Sequence, residues 1–155
     1  MHASTTSDRA EPIAIVVAED NKYDRMILAE AFREVGLNVT LSFVSHGEEL
    51  LDYLHGRYGH ADAQATPRPS LILMDLNMPR MDGNEALKRI RADAALRKLP
   101  VVVLSMSDSS RQIAEAYDNG ANAFMTKPGH FEDLVRLLRS FGHFWFQEAK
   151  LPGPN

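Results

Sequence analysis

Three acidic residues follow apolar runs: Glu19 and Asp20 come after 13–18 (IAIVVA), and Asp75 comes after 71–74 (LILM). Two other reactive side chains are placed the same way, Ser105 after VVVL (101–104) and Lys127 after NAFMT (122–126). Carboxylates gathered in a partly desolvated site repel one another unless something neutralises them. A hard divalent cation does so with oxygen ligands, and a few-carboxylate site that keeps waters suits Mg2+. A hydroxyl and a compact ammonium beside such a carboxylate complete the needs of phosphoryl transfer, which runs on positioning and charge neutralisation. An aspartate can itself be the nucleophile, giving an aspartyl phosphate. Each residue also has a plainer reading alone: Glu19 and Asp20 as acidic residues opening a helix, Lys127 as a solvated charge, Ser105 as a turn residue. Their shared position at the ends of apolar runs is what favours chemistry.

The elements that must position them follow from periodicity. The runs 13–18, 71–74 and 101–104 are continuous and apolar, as strands buried on both faces require. Residues 39–44 (VTLSFV) alternate, which fits an edge or half-covered strand, and 122–126 is a weaker fifth strand. Between them, Leu28, Ala31, Phe32 and Val35 form a helical stripe closed by Gly36. Ser45 with Glu48 reads as a capping box opening a helix through Leu50, Leu51 and Leu54. A third helix follows Gly83 with Ala86, Leu87 and Ile90. A fourth spans about 108–119 and is mostly exposed, its stripe (Ile113, Ala116, Tyr117) being thin. A fifth starts near His130 and carries Leu134, Leu137, Leu138 and Phe141. Residues 56–69 read as a polar surface excursion. Five β-α repeats predict an α/β fold, a doubly wound five-stranded parallel sheet of order 2-1-3-4-5. Strands 1 and 3 are then neighbours at the switch point, where ligands bind beyond the carboxyl ends.

Composition narrows the function classes. The chain has 155 residues, 17 Lys plus Arg against 21 Asp plus Glu, a net charge of −4, and no Cys. Mild acidity argues against a nucleic-acid partner. Lack of Cys removes disulfides, thiolate metal sites and Cys nucleophiles. No run reaches the ~18 apolar residues of a bilayer span, and the N-terminal MHASTTSDRAEP has no apolar signal core, so the expectation is a cytoplasmic protein with no membrane partner. The six His (2, 46, 55, 60, 130, 143) form no HxxxH pair, which leaves a zinc hydrolase without ligands.

AED at 18–20, DLNMPRMDG at 75–83, VVVLS at 101–105 and Lys127–Pro128 resemble the response-regulator receiver domain (CheY-like) of two-component signalling, over roughly residues 12–141. The resemblance implies the (βα)5 flavodoxin-like fold, with Asp75 accepting a phosphoryl group from the phosphohistidine of a sensor histidine kinase. It implies Mg2+ ligation by Asp20, Asp75 and the Asn77 carbonyl, with Glu19 acting through water. Ser105 and Lys127 would hold the phosphoryl oxygens, Ser105 and Phe124 would form the switch, and Asn77 and Ser107 would tune dephosphorylation. It also implies a cis Lys127–Pro128 bond. Glu19 and Ser105 stand where the family more often has Asp and Thr, and both keep the chemistry. The organisation expected is a disordered tail at 1–11, a receiver domain with an extended fifth helix at 12–148, and a C-terminal tail at 149–155.

Output is expected through protein–protein contact, as a phosphoacceptor signalling protein rather than an enzyme with a separate substrate. Phe141, Phe144, Trp145 and Phe146 form an aromatic segment suited to a homodimer or partner interface. Together with the 56–69 excursion and the LPGPN tail, this segment resembles single-domain regulators paired with bacteriophytochrome kinases. A phosphorelay intermediate passing the group to a histidine phosphotransfer protein is the alternative. An FMN site is disfavoured because Glu19 and Asp20 would repel the flavin phosphate. A haloacid-dehalogenase-type phosphatase is disfavoured because Asn77 stands where it wants a second carboxylate. A structural scaffold would require Asp75 to be unreactive.

Overall fold

The structure, a computed structural model, describes residues 12–58 and 68–152. Five parallel strands, β1 (Ile13–Ala18), β2 (Val39–Val44), β3 (Leu71–Met74), β4 (Val101–Ser105) and β5 (Ala123–Thr126), lie in the order β2-β1-β3-β4-β5. The helices between and after them are α1 (Lys22–Val35), α2 (Gly47–Tyr58), α3 (Gly83–Ala92), α4 (Ser110–Asp118) and α5 (Phe131–His143). A π-helical turn, Phe144–Glu148, prolongs α5. Among the described residues no helix is long and apolar enough to cross a membrane.

Side chains alternate faces along a strand, so each continuous apolar run feeds two cores. Ile15, Val17, Leu71, Leu73, Val102 and Leu104 pack with α1 (Leu28, Ala31, Phe32) and α5 (Leu134, Val135, Leu138, Phe141). Val16, Ala18, Ile72, Met74, Val101 and Val103 pack with α2, α3 and, through Ala116, α4. The sheet is thus covered on both sides, and only the strand ends remain for polar chemistry. Ala116 is the one residue of α4 that is buried, in keeping with its thin stripe.

Local signals explain most boundaries. Asn21 caps α1 by accepting from Asp24 N–H, and Gly36 ends it at φ 81, its N–H bonding the Phe32 and Arg33 carbonyls. Asp82 caps α3 and Ser109 caps α4. The expected Ser45–Glu48 capping box does not form. Glu49 reaches the Ser45 N–H at 2.7 Å, and His46 Nδ1 accepts from Glu49 N–H at 3.1 Å. The cap is thus shifted by one residue and shared between two, Ser45 and His46, while Glu48 pairs with Arg80. Helix α2 also runs to Tyr58, taking 56–58 out of the expected excursion. Asn122 stands outside β5, its side chain bonded to the Val101 N–H instead. The tails at 1–11 and 153–155, and 59–67 of the excursion, lie outside the described residues.

The aromatic segment is divided rather than displayed. Phe141 is 3% exposed and meets Phe32 and Phe146 edge to face. The expectation that Phe141 lies at an interface is therefore corrected: it belongs to the domain's own core. The wider i to i+5 spacing of the π turn sets Phe146 back over Phe141, and Trp145 packs beside it. Phe144 alone of the four is largely open, at 53%.

Two glycines should respond differently to alanine. A Cβ at Gly83 would sit 2.8 Å from Leu76 Cα and 2.9 Å from the Asp75 carbonyl oxygen, both backbone. At Gly36 nothing lies within 4 Å, and only the positive φ opposes a side chain. Gly36→Ala should cost about 1 kcal/mol, and Gly83→Ala the larger sum of about 1–3 kcal/mol, read from urea unfolding midpoints.

Candidate functional site

Parallel pairing sets the acidic residues side by side. Ala18 pairs with Met74, and the ladder ends with the Asp75 N–H bonded to the Ala18 carbonyl at 3.0 Å. Glu19 N–H bonds the Val44 carbonyl at 2.9 Å on the other side. One carboxylate oxygen each from Glu19, Asp20 and Asp75 then falls within 4.8 Å of the others, Glu19 buried, Asp20 exposed and Asp75 between. Oxygen donors from three carboxylates, one of them open to water, fit a hard divalent cation that keeps part of its hydration shell.

Strands β4 and β5 bring the complementary groups. Ser105 pairs with Thr126 at the end of the β4–β5 ladder, and Lys127, the next residue after Thr126, gives its N–H to the Ser105 carbonyl at 2.8 Å. Lys127 Nζ donates to Glu19 Oε1 at 2.6 Å and to Asp24 Oδ2 at 3.3 Å, and lies 3.6 Å from Asp75 Oδ2. Ser105 is fully buried, and its Oγ accepts from the Ser107 N–H at 3.2 Å, which leaves its own O–H to donate to an added oxygen. Asp75 Oδ1 accepts from the Asn77 N–H at 3.2 Å. Phe124 on β5 is half-buried against the α2–α4 core. The Lys127–Pro128 bond is trans, for the described residues contain no cis peptide. This corrects the cis expectation; trans is the lower-energy isomer even before proline, and Lys127 reaches its carboxylate partners with it.

Electrostatics follow from crowding. Burial pushes the Glu19 carboxyl above the ordinary 4.5, Asp75 adds to the push, and hydrogen bonds from Lys127 and the Asn21 N–H offset part of it. For Lys127, burial works to lower the ammonium's pKa, but Glu19, Asp75 and Asp24 together hold it above the ordinary 10.5. The ammonium is therefore the resident counter-charge, set among more negative charge than it can neutralise.

The loop after β3 is braced. Gly83 N–H bonds the Leu76 carbonyl, and Gly47 N–H bonds the Met81 carbonyl, both at 2.9 Å. Arg80 takes the left-handed conformation at φ 66 in a three-residue turn, Met81 N–H to the Pro79 carbonyl, and pairs with Glu48. Beside Asp75 and Lys127 opens a crevice of about 290 Å³ whose apolar lining includes Ile27, Leu28, Leu104, Pro128, Phe131 and Leu134. Met106, after β4, is exposed and also lines it, while Tyr23 and Met26 are exposed on α1, the helix that supplies Ile27 and Leu28.

Two contacts escaped the sequence reading. Asp24 was not singled out as a site residue in the sequence, yet it is the third partner of Lys127. Arg25 carried no motif at all, yet its Nε donates to the Glu19 carbonyl at 2.7 Å. Both lie one turn into α1, and the only available signal was that the first turn after a strand end faces back over it.

Comparison with known proteins agrees with this geometry. Residues 15–139 match the family model "Response regulator receiver domain". A solved response regulator described as RPA3017 in red light signaling of R. palustris is 44% identical, with TM-score 0.85, covering 91% of this chain and 99% of that one. The phosphorylated cyanobacterial phytochrome response regulator RcpA is 34% identical, with TM-score 0.81, covering 92% and 99%. Response regulator Rcp1 of Synechocystis is 30% identical over 91% of this chain and 94% of its own, and its structure is described as a Mn2+-bound form.

Removing Lys127 should expose the charge imbalance. Lys127→Ala leaves buried Glu19 and half-buried Asp75 without their ammonium, and should cost about 1–3 kcal/mol in the absence of divalent cation. Added Mg2+ should raise the melting temperature of this variant more than that of the parent, because it supplies the missing charge. The sign with pH is set by the raised values. The Lys127 contribution is complete below pH 10.5 and is lost as the pH climbs through its folded-state value. Glu19 favours the folded state most below 4.5, and that contribution fades as the pH rises through its own raised value.

Proposed function

Because the chain belongs to the response regulator receiver family and is homologous to phytochrome response regulators, we propose that Asp75 accepts a phosphoryl group from a sensor kinase's phosphohistidine. The observation that carries this reading is the convergence of Glu19, Asp20 and Asp75 within 4.8 Å, with Lys127 Nζ 3.6 Å from Asp75. Asp20 and Asp75 with the Asn77 carbonyl, and Glu19 through water, would hold Mg2+, which supplies positive charge to the oxygens of the group in transit.

The remaining steps belong to the chain's own side chains. An oxygen of Asp75 attacks phosphorus while the bond to the histidine nitrogen breaks. Lys127 is already oriented toward that oxygen and exchanges part of its contact with Glu19 for a phosphoryl oxygen. Ser105 donates its O–H to a second oxygen. Added charge of about −1.5 to −2 draws the Ser105 loop inward, and Phe124, only half-buried, follows. Helix α4 holds the core by Ala116, so the surface it shares with β5 and α5 is the one that shifts. Asn77 and Ser107, beside Asp75 and Ser105, set how readily water reaches the acyl phosphate.

The apolar crevice next to the acceptor, with Ile27, Met106 and Phe131 exposed in its lining, suits a helix of the kinase that presents the histidine. A bacteriophytochrome kinase is the proposed donor, in the cytoplasm, and Phe144 is the exposed aromatic available for a homodimer or partner contact. The protein is proposed to act as a phosphoacceptor without a separate substrate.

Phosphotransfer from phosphorylated kinase tests the reading. The parent should gain label as the kinase loses it, and Asp75→Asn should reduce transfer by at least about a hundredfold. With a phytochrome kinase, transfer should differ between red and far-red light. Undiminished labelling of Asp75→Asn would move the acceptor elsewhere.

A further inference from the structure

Arg25 is half-buried on α1, and its side chain turns back over the end of β1. Nε donates to the Glu19 carbonyl at 2.7 Å, and Nη2 donates to Ser45 Oγ at 2.6 Å. The guanidinium carbon lies 5.6 Å from the centre of the Phe43 ring. Ser45 is itself held, its N–H bonded to Glu49. Arg25 is thus braced on β2 and the turn that follows it while it grips β1.

The gripped atom matters because the Glu19 carbonyl and the Asp20 N–H share one rigid peptide plane. On the near side of Glu19, the N–H is fixed by the Val44 carbonyl at 2.9 Å. On the far side, Arg25 holds the plane that joins Glu19 to Asp20. Together the two bonds decide in which direction the two carboxylates leave the backbone. Asn21 then caps α1 and gives its N–H to Glu19 Oε2 at 3.1 Å.

We infer that Arg25 is a positioning residue for the divalent-cation site: it locks the Glu19–Asp20 peptide plane so that both carboxylates meet Asp75. This rests on the cation-binding reading proposed above. Two effects of Arg25 on cation affinity have opposite signs. As a nearby positive charge it weakens cation binding; as an anchor for the acidic pair it strengthens it. The anchoring effect dominates, because a misdirected ligand is lost from the site whereas a half-exposed charge is screened.

The opposed signs make the test decisive. Mg2+ affinity is measured by isothermal titration calorimetry on the full chain, well below the melting temperature of each variant. Arg25→Met keeps the stem over Phe43 but removes every donor, and its Mg2+ Kd should rise about tenfold. Arg25→Lys keeps the charge but only one donor nitrogen in place of the guanidinium's three, so its Kd should fall between those of the parent and Arg25→Met. An unchanged or lower Kd in folded Arg25→Met overturns the inference, since loss of charge or of general stability alone predicts that result. Should Arg25→Met fail to fold, Arg25→Lys decides, a Kd equal to the parent's being the contrary outcome. Saturable Mg2+ binding by the parent with no change in the variants defeats the role of Arg25 alone. No saturable binding by the parent defeats the cation reading as well.

Discussion

Carboxylates of like charge at the ends of two adjacent parallel strands are the constraint on which the rest of this molecule depends. Left alone, Glu19, Asp20 and Asp75 would repel and open the switch point between β1 and β3. They stay together because the ladder fixes their backbones before their charges are considered: the Ala18 carbonyl holds Asp75, and the Val44 carbonyl holds Glu19. Lys127 from the far side of the sheet then supplies one positive charge to at least two negative ones. The shortfall is a standing electrostatic demand. In the proposed function a dication would satisfy it at rest, and an acyl phosphate would rearrange it, since Lys127 and the cation would then serve more negative oxygens.

The two cores divide the work of holding and of moving. Helices α1 and α5 pack on one face through Leu28, Phe32, Leu138 and Phe141 and carry the residues that shape the crevice. On the other face α2 and α3 are well buried while α4 touches the core through Ala116. Few buried contacts mean a small free energy for local rearrangement. Under the proposed function, charge added at Asp75 would find its least resistant neighbour in the β4–α4 region, reached through Ser105 and Phe124. Strain sits on the other side of Asp75, at Arg80, where Gly83 and Gly47 hold the loop against α2.

Much of this was legible in the sequence because the signals were periodic or chemical. Runs of β-branched residues identified the buried strands, Gly36 the end of α1, and strand-end residues the convergence of Glu19, Asp75, Ser105 and Lys127. What was not legible depended on three-dimensional phase. The α2 cap moved by one residue because His46, not Ser45, occupies the capping geometry. Phe141 was readable as apolar, but only the π turn decided that Phe146 would cover it and leave Phe144 outside. Arg25 and Asp24 were invisible as site residues because their partners lie on different elements. Arg91 was missed for the same reason; it donates to the Gly120, Arg97 and Leu99 carbonyls and to Asn122, joining α3 to the starts of β4 and β5.

In the proposed function, paired strands create an acidic site in which the Asp75 carboxylate carries a labile phosphoryl group. Intact-mass spectrometry with a small phosphodonor, with Mg2+ and with a chelator in its place, measures this most directly. One phosphoryl group per chain is expected in Mg2+, removed by hydroxylamine and mapped to Asp75. No adduct in Mg2+, an adduct mapped to another residue, or equal labelling in the chelator would contradict it.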